Sequence, residues 1–199
     1  MFGPLSHTIQ GVVNSTWPMI IISTIVIVSL RVSYIFKYHK KVVLYKELLM
    51  LSFIIYVLCL FQVVTFQDAV NWSSNNFIPF KEIFRYDFGS RLFIKNVVGN
   101  VLMFMPFGFF ASYYLENKRP WLTIFLTIIA SFSIELVQMV IGRVFDVDDI
   151  MLNILGGLLG YLCYFLLVKI SKHLPNVLKS ELFLNIIAII LLVGLLTLL

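Results

Sequence analysis

Charge is what this sequence has least of. Of its 199 residues only 13% are charged while 60% are hydrophobic, and the mean hydropathy is +0.97. A soluble domain carries about 25% charged residues. The shortage excludes one here, and no polar stretch is long enough to hold one. Cysteine is nearly absent: Cys59 and Cys163 lie inside apolar stretches without a metal-type neighbour at short spacing, which excludes a zinc motif. The three histidines, His7, His39 and His173, are scattered outside the apolar cores, so neither a histidine metal centre nor Ser–His chemistry is expected. Histidine-dependent lipid phosphatases are excluded on the same ground, and nucleotide-driven action lacks its phosphate loop. The net charge of +5 comes without a basic–aromatic patch, so no nucleic-acid partner is expected, and no metal or cofactor is assigned.

What the chain has is apolar length. A membrane core needs about 20 mostly apolar residues per helix. Six stretches qualify, near 17–36, 48–66, 96–115, 120–141, 149–168 and 181–199, which predicts an all-α integral membrane protein with about six transmembrane helices. Ten of the fifteen lysines and arginines fall in the links after the first, third and fifth stretches. The positive-inside bias places those links in the cytoplasm and both termini outside. The link 67–95 and the turn 142–149 then also face outward. Arg31, near the end of the first stretch, can snorkel toward the head groups. The pentad Asn76-Phe77-Ile78-Pro79-Phe80 in the long outer link can lie at the interface or dip into it.

Polar residues gather where these outward ends meet. Lys95, Asn96 and Asn100 open the third stretch, followed by Pro106, where a helix loses a backbone hydrogen bond and is expected to kink. Ser131, Glu135, Gln138 and Gly142 form one stripe of the fourth. Glu135 lies seven residues before Gly142, about 10 Å below the boundary. A carboxylate there must be protonated, paired or exposed to water, and Arg143 and Lys95 are the candidate partners. The fifth stretch opens on Asp146, Asp148 and Asp149, whose carboxylates suit helix capping, and continues through Asn153, Gly156, Gly157 and Gly160. Asn, Gln and Ser between membrane helices often serve as hydrogen-bonding glue, and glycines as contacts. The alternative is that Asn100, Glu135, Gln138, Arg143, Asp146, Asp148, Asp149 and Asn153 line one outward cavity. Its cations would hold an anionic head group, and its acids would bind a divalent ion or an ammonium, or exchange protons.

The same residues carry a resemblance. Asn76-Phe77-Ile78-Pro79-Phe80, then Asn96-Val97-Val98-Gly99-Asn100 with Phe104-Met105-Pro106-Phe107-Gly108, then Glu135-Leu136-Val137-Gln138 stand in order. Gly142-Arg143, Asp146-Val147-Asp148-Asp149, Asn153, Gly156-Gly157 and Gly160 complete the series. Over 75–168 the chain resembles VanZ-like membrane proteins, with 1–74 as an N-terminal two-helix extension and 169–199 as a C-terminal helix. The resemblance implies a multi-pass protein of a Gram-positive cell membrane, associated with low-level resistance to teicoplanin and related lipoglycopeptides. It implies no reaction.

Three functions fit. A non-catalytic envelope protein would bind membrane lipids or a lipid-linked cell-wall precursor, with the lipoglycopeptide itself as a further partner. Asn76, Lys95, Asn100, Gln138, Arg143, Asp148 and Asn153 would be its binding groups. An intramembrane enzyme would instead use Glu135, Asp146 or Asp149 for carboxylate- or metal-assisted chemistry on a head group. A transporter would use broken helices, but no internal repeat is visible.

Overall fold

A computed structural model describes residues 3–66, 75–116 and 118–198. Its helices are α1 (Gly3–Tyr38), α2 (Leu44–Phe66), the short α3 (Arg91–Phe93), α4 (Gly99–Tyr114), α5 (Pro120–Val140), α6 (Val147–His173) and α7 (Glu181–Leu198). A 3-10 turn, Ile83–Arg85, precedes α3, and a π turn, Ile94–Val98, joins α3 to α4. Among the described residues there is no strand. Five helical segments are long and apolar enough to cross a membrane: Trp17–Tyr38, Leu44–Val63, Arg91–Tyr114, Pro120–Val140 and Val147–His173. The sixth expected span corresponds to α7, whose described apolar part is the shorter Glu181–Val193. The first part of the outer link, 67–74, lies outside the described residues.

The chain divides into two units. One holds Met1–Ser15 and Cys59–Leu166, the other Thr16–Leu58 and Leu167–Leu199. The second is tied by polar contacts between its helices. Arg31 grips Glu47 through two hydrogen bonds of 2.8 and 2.9 Å. Lys41 pairs with Glu181 at 2.9 Å, and Asn185 Oδ1 accepts from the backbone N–H of Tyr45 at the start of α2.

The first unit packs with its polar groups inward. Thr123, Thr127, Ser131, Glu135 and Gln138 recur at helical spacing along α5, and all are buried. Phe125, Ile129, Phe132 and Val140 of the same helix are exposed. In water such an apolar surface would aggregate, whereas lipid is its natural solvent. The inward polar groups then satisfy one another. Ser112 Oγ donates to the carbonyl of Gly108 at 2.6 Å and meets Thr123 Oγ1 at 2.9 Å. Tyr161 donates to the Lys118 carbonyl.

Glycines bring α4 and α6 to backbone contact. A methyl group on Gly108 would collide with the carbonyl of Gly157, one on Gly156 with that of Val101, and one on Gly160 with that of Met105. Small residues at such crossings allow membrane helices to approach closely without an apolar driving force. The pair Gly156/Gly160 therefore serves packing.

The third span departs from the sequence reading in its local geometry. It begins at Arg91, where Ser90 Oγ accepts from Phe93 N at 3.1 Å. α4 continues through Pro106, and the irregular turn lies earlier, at Ile94–Val98. A π turn adds a residue to the helical circuit and rotates the helix beyond it. It lies immediately before Asn100.

Candidate functional site

The site begins with how α5 ends. Gly142 adopts a left-handed backbone, φ +82°, which glycine takes without strain. Its N–H donates to the carbonyl of Met139, and that of Arg143 to the carbonyl of Gln138, at 3.2 and 2.8 Å. This double closure folds the chain back over the last turn of α5. Arg143 is thereby returned to Gln138. With its carboxamide oxygen toward Arg143, Gln138 accepts from Nη1 at 2.8 Å and donates to Glu135 Oε1 at 3.0 Å. The other carboxylate oxygen, Oε2, accepts from the backbone N–H of Asp146 at 2.8 Å. Glu135 is 1% exposed, so both oxygens of a fully buried carboxylate have donors.

Asp146 begins α6. Its Oδ1 accepts from the N–H of Asp148 at 2.9 Å, capping the helix, and from Asn76 Nδ2 at 2.8 Å. Burial pushes the Asp146 carboxyl above its ordinary range, the bonds from Asn76 and the Asp148 N–H pull it back, and the negative charge of Asp148 raises it. The main chain of Asn76 pairs with the same segment. Its N–H donates to the Phe145 carbonyl at 2.8 Å, and its carbonyl accepts from Val147 N at 3.0 Å. Asn75 Oδ1 accepts from Phe145 N, and Phe77 stacks on Phe145 with ring centres 5.4 Å apart.

Asp148 serves the next stretch of the same outer segment. It is 1% exposed and accepts backbone N–H groups from Phe80, Glu82 and Ile83, the last two at 2.7 and 3.1 Å. Phe80 carries φ +67°, a left-handed conformation unfavourable for a bulky residue. The carboxylate therefore holds both a strained residue and the free donors at the start of the 3-10 turn. Around this turn Phe77, Ile78, Phe84 and Phe88 are exposed.

Deeper in, the three helices meet. Asn100 Nδ2 of α4 donates to Asp149 Oδ1 of α6. One turn further along α6, Asn153 Nδ2 donates to Ser131 Oγ of α5 at 2.8 Å, and its Oδ1 has no hydrogen-bond partner. Asp149 lies within electrostatic range of Glu135, Asp146, Arg143 and Asp148. Among the described residues no three His, Cys, Asp or Glu side chains form a metal set.

The model of the VanZ/LLP1 family matches residues 53–168 of this chain. The chain belongs to the VanZ/LLP1 family. The match takes in most of α2 as well as every residue of the cluster. No curated protein and no solved structure gives a match.

Within the VanZ/LLP1 region, the expected residues fall into three sets. Glu135, Gln138, Arg143 and Asp146 form one bonded series, and Asn100 with Asp149 and Asn153 with Ser131 bridge helices below it. Asn76 and Asp148 bind the outer segment to the start of α6. Lys95 stands apart as an exposed residue of the π turn, and the donors to Glu135 are Gln138 and the Asp146 N–H. Two participants escaped the sequence reading: Asn75 and Tyr86, which hydrogen-bonds Asn96. The spacing of Thr123, Thr127 and Ser131 ahead of Glu135 could have extended the stripe. Nothing local marks Asn75 or Tyr86.

Proposed function

We propose that this chain is a non-catalytic envelope protein of a Gram-positive cell membrane. In this reading both termini and the polar cluster face outward, and the cluster binds a lipid head group or the head of a lipid-linked cell-wall precursor. Occupying or shielding such lipids lowers the access of a lipid-anchored glycopeptide to its membrane target, giving low-level teicoplanin resistance or supporting envelope homeostasis. One observation carries the reading. A fully buried carboxylate, Glu135, is linked through Gln138 to a partly exposed arginine at the end of a membrane-crossing helix. Such an arrangement is costly to keep in lipid unless it meets a polar partner. Arg143 offers a planar donor face suited to phosphate. The exposed aromatic residues from Phe77 to Phe88 suit the head-group layer.

Binding is favoured over catalysis by how the acids are used. Glu135, Asp146 and Asp148 each accept from a backbone N–H, which fixes the carboxylates as parts of the framework. The test is to make Glu135→Gln and Asp149→Asn, match membrane levels, and measure teicoplanin susceptibility alongside the whole-cell lipid profile. We expect sensitivity to rise at least about fourfold with no lipid species gained or lost, a change of about 1 kcal/mol in apparent affinity. A lipid product that vanishes in both variants would turn the reading to an intramembrane enzyme. Unaltered susceptibility in both would refute a role for the cluster in resistance.

A further inference from the structure

Two observations meet in the second unit, away from the residues discussed so far. The first is charge. Residues 37–46 and 169–180 carry seven lysines and neither an aspartate nor a glutamate. The fold closes these two distant stretches into one patch. α1 ends at Tyr38, and His39, with φ +48°, turns the chain into the short link to α2. Lys41 of that link bonds to Glu181 at the start of α7, 140 residues away. One turn further along α7, Asn185 Oδ1 accepts from the N–H of Tyr45 at 3.0 Å. In the link from α6 to α7, Lys179 Nζ donates back to the Lys172 carbonyl at 3.3 Å. Lys41 has its acid in Glu181. The other six, Lys37, Lys40, Lys46, Lys169, Lys172 and Lys179, are exposed, and among the described residues none has an acidic partner.

The positive-inside bias explains why lysines stand on one side of a membrane, link by link. The joining of two links into one field is a property of the fold. Like charges gathered this way repel one another and favour an anion among them. The second observation says what kind of anion. Tyr38, Val42, Val177 and Leu182 stand within three residues of these lysines and are between 50% and 72% exposed. The patch sits where the membrane-crossing segments Trp17–Tyr38 and Val147–His173 end and Leu44–Val63 begins. A water-soluble acidic partner would match the ammonium groups and leave the apolar side chains bare. A phospholipid matches both, with its phosphate on the lysines and its glycerol and chains on the apolar rim.

We propose that this patch binds anionic phospholipid head groups, with lysines of the α1–α2 and α6–α7 links sharing the phosphate. Clustered basic residues at the ends of membrane helices are suited to such head groups. Lysine is a compact charge with three donors on a flexible stem, so it follows a phosphate that arrives in more than one orientation. The site is built wholly from the second unit and uses no residue of the polar cluster. It therefore stands or falls independently of the head-group reading above.

The test uses the full chain in nanodiscs of equal parts phosphatidylcholine, phosphatidylglycerol and cardiolipin, with retained lipid measured by native mass spectrometry. Both anionic lipids are expected to be retained above phosphatidylcholine, and less so as salt is raised. Removing one lysine near an anionic surface weakens the attraction by up to about fivefold. Lys40→Gln and Lys172→Gln, one from each link, should each lower anionic retention by about that factor, and together by up to about twenty-five-fold. The pair Lys81→Gln and Lys118→Gln removes the same charge from other links and should leave retention unchanged. Equal retention of the three lipids overturns the proposal. So does an anionic preference that survives the Lys40/Lys172 pair unchanged, or that falls as much with the control pair. Displacement of the retained lipid by millimolar glycerol phosphate would transfer the patch to a soluble phosphate and overturn the lipid assignment.

Discussion

Replacing Glu135 with leucine is expected to prevent this protein from being recovered as a stable, monodisperse species. The substitution fits the apolar composition of α5 and would look mild in a hydropathy profile. Its cost lies in what remains. The N–H of Asp146 and the carboxamide of Gln138 lose their acceptor, and Arg143 is left over an amide no longer anchored from the other side. Each buried donor left without its acceptor costs about 1–3 kcal/mol, and two lose theirs here. That is a large share of the stability of most proteins. Glu135→Gln should be milder and instructive. Its amide oxygen can still accept from Asp146 N, but its NH2 then faces the NH2 of Gln138. If Gln138 turns, it presents a donor to Arg143, so one bond of the series is lost in either orientation. The expected cost is about 1–3 kcal/mol. Thermal unfolding in detergent, followed by size-exclusion monodispersity, checks the order: native, then glutamine, then leucine. A leucine variant as stable as the native chain would show that the series contributes nothing.

Asp148→Ala should release the outer segment while leaving the helices assembled. One carboxylate accepts three backbone N–H groups, including that of Phe80 in its left-handed conformation. Hydrogen bonds to a charged group contribute about 1.5–3 kcal/mol each, less than additively when shared. A total of about 3 kcal/mol corresponds to a hundredfold change in local opening. Proteolysis follows that open population when reclosing is fast. Lys81 and Arg85 lie within or beside the clamped turn and are exposed, so trypsin reads the event directly. Cleavage after these residues is expected to accelerate by up to about a hundredfold in Asp148→Ala, with Asp148→Asn between the two. The same digest on intact cells tests whether the segment lies outside. Equal cleavage rates in all three proteins would show that Asp148 does not hold this segment.

These expectations also show what could be read from the sequence. The stripe Ser131, Glu135, Gln138 was visible because a helix repeats its faces every three to four residues. The aspartates at the start of α6 are visible as capping groups for the same local reason, and Asp146 does cap. The separate tasks of Asp146 and Asp148 were not visible. Each is set by a segment about seventy residues earlier in the chain, and no periodicity encodes such a pairing. The partner of Arg31 was hidden likewise, since Glu47 lies on the next helix and meets it only after the hairpin forms. The π turn before Asn100 has no simple sequence signal, whereas Pro106, which has a strong one, sits within a continuous helix. The glycines were legible as contacts, but which backbone each one meets required the fold.

Polar groups of α4, α5 and α6 must meet at one end of the unit for the site to exist. The most direct measurement is a thiol cross-link between Asn100→Cys and Asp149→Cys, made in native membranes with Cys59 and Cys163 replaced by serine. The side chains at these positions are hydrogen-bonded partners, so a short bis-methanethiosulfonate linker, which spans the gap left between two cysteine sulfurs, should join them, giving a mobility shift on a reducing versus non-reducing gel. A pair that reacts readily with a thiol reagent but does not form the cross-link would contradict the convergence, and with it the site.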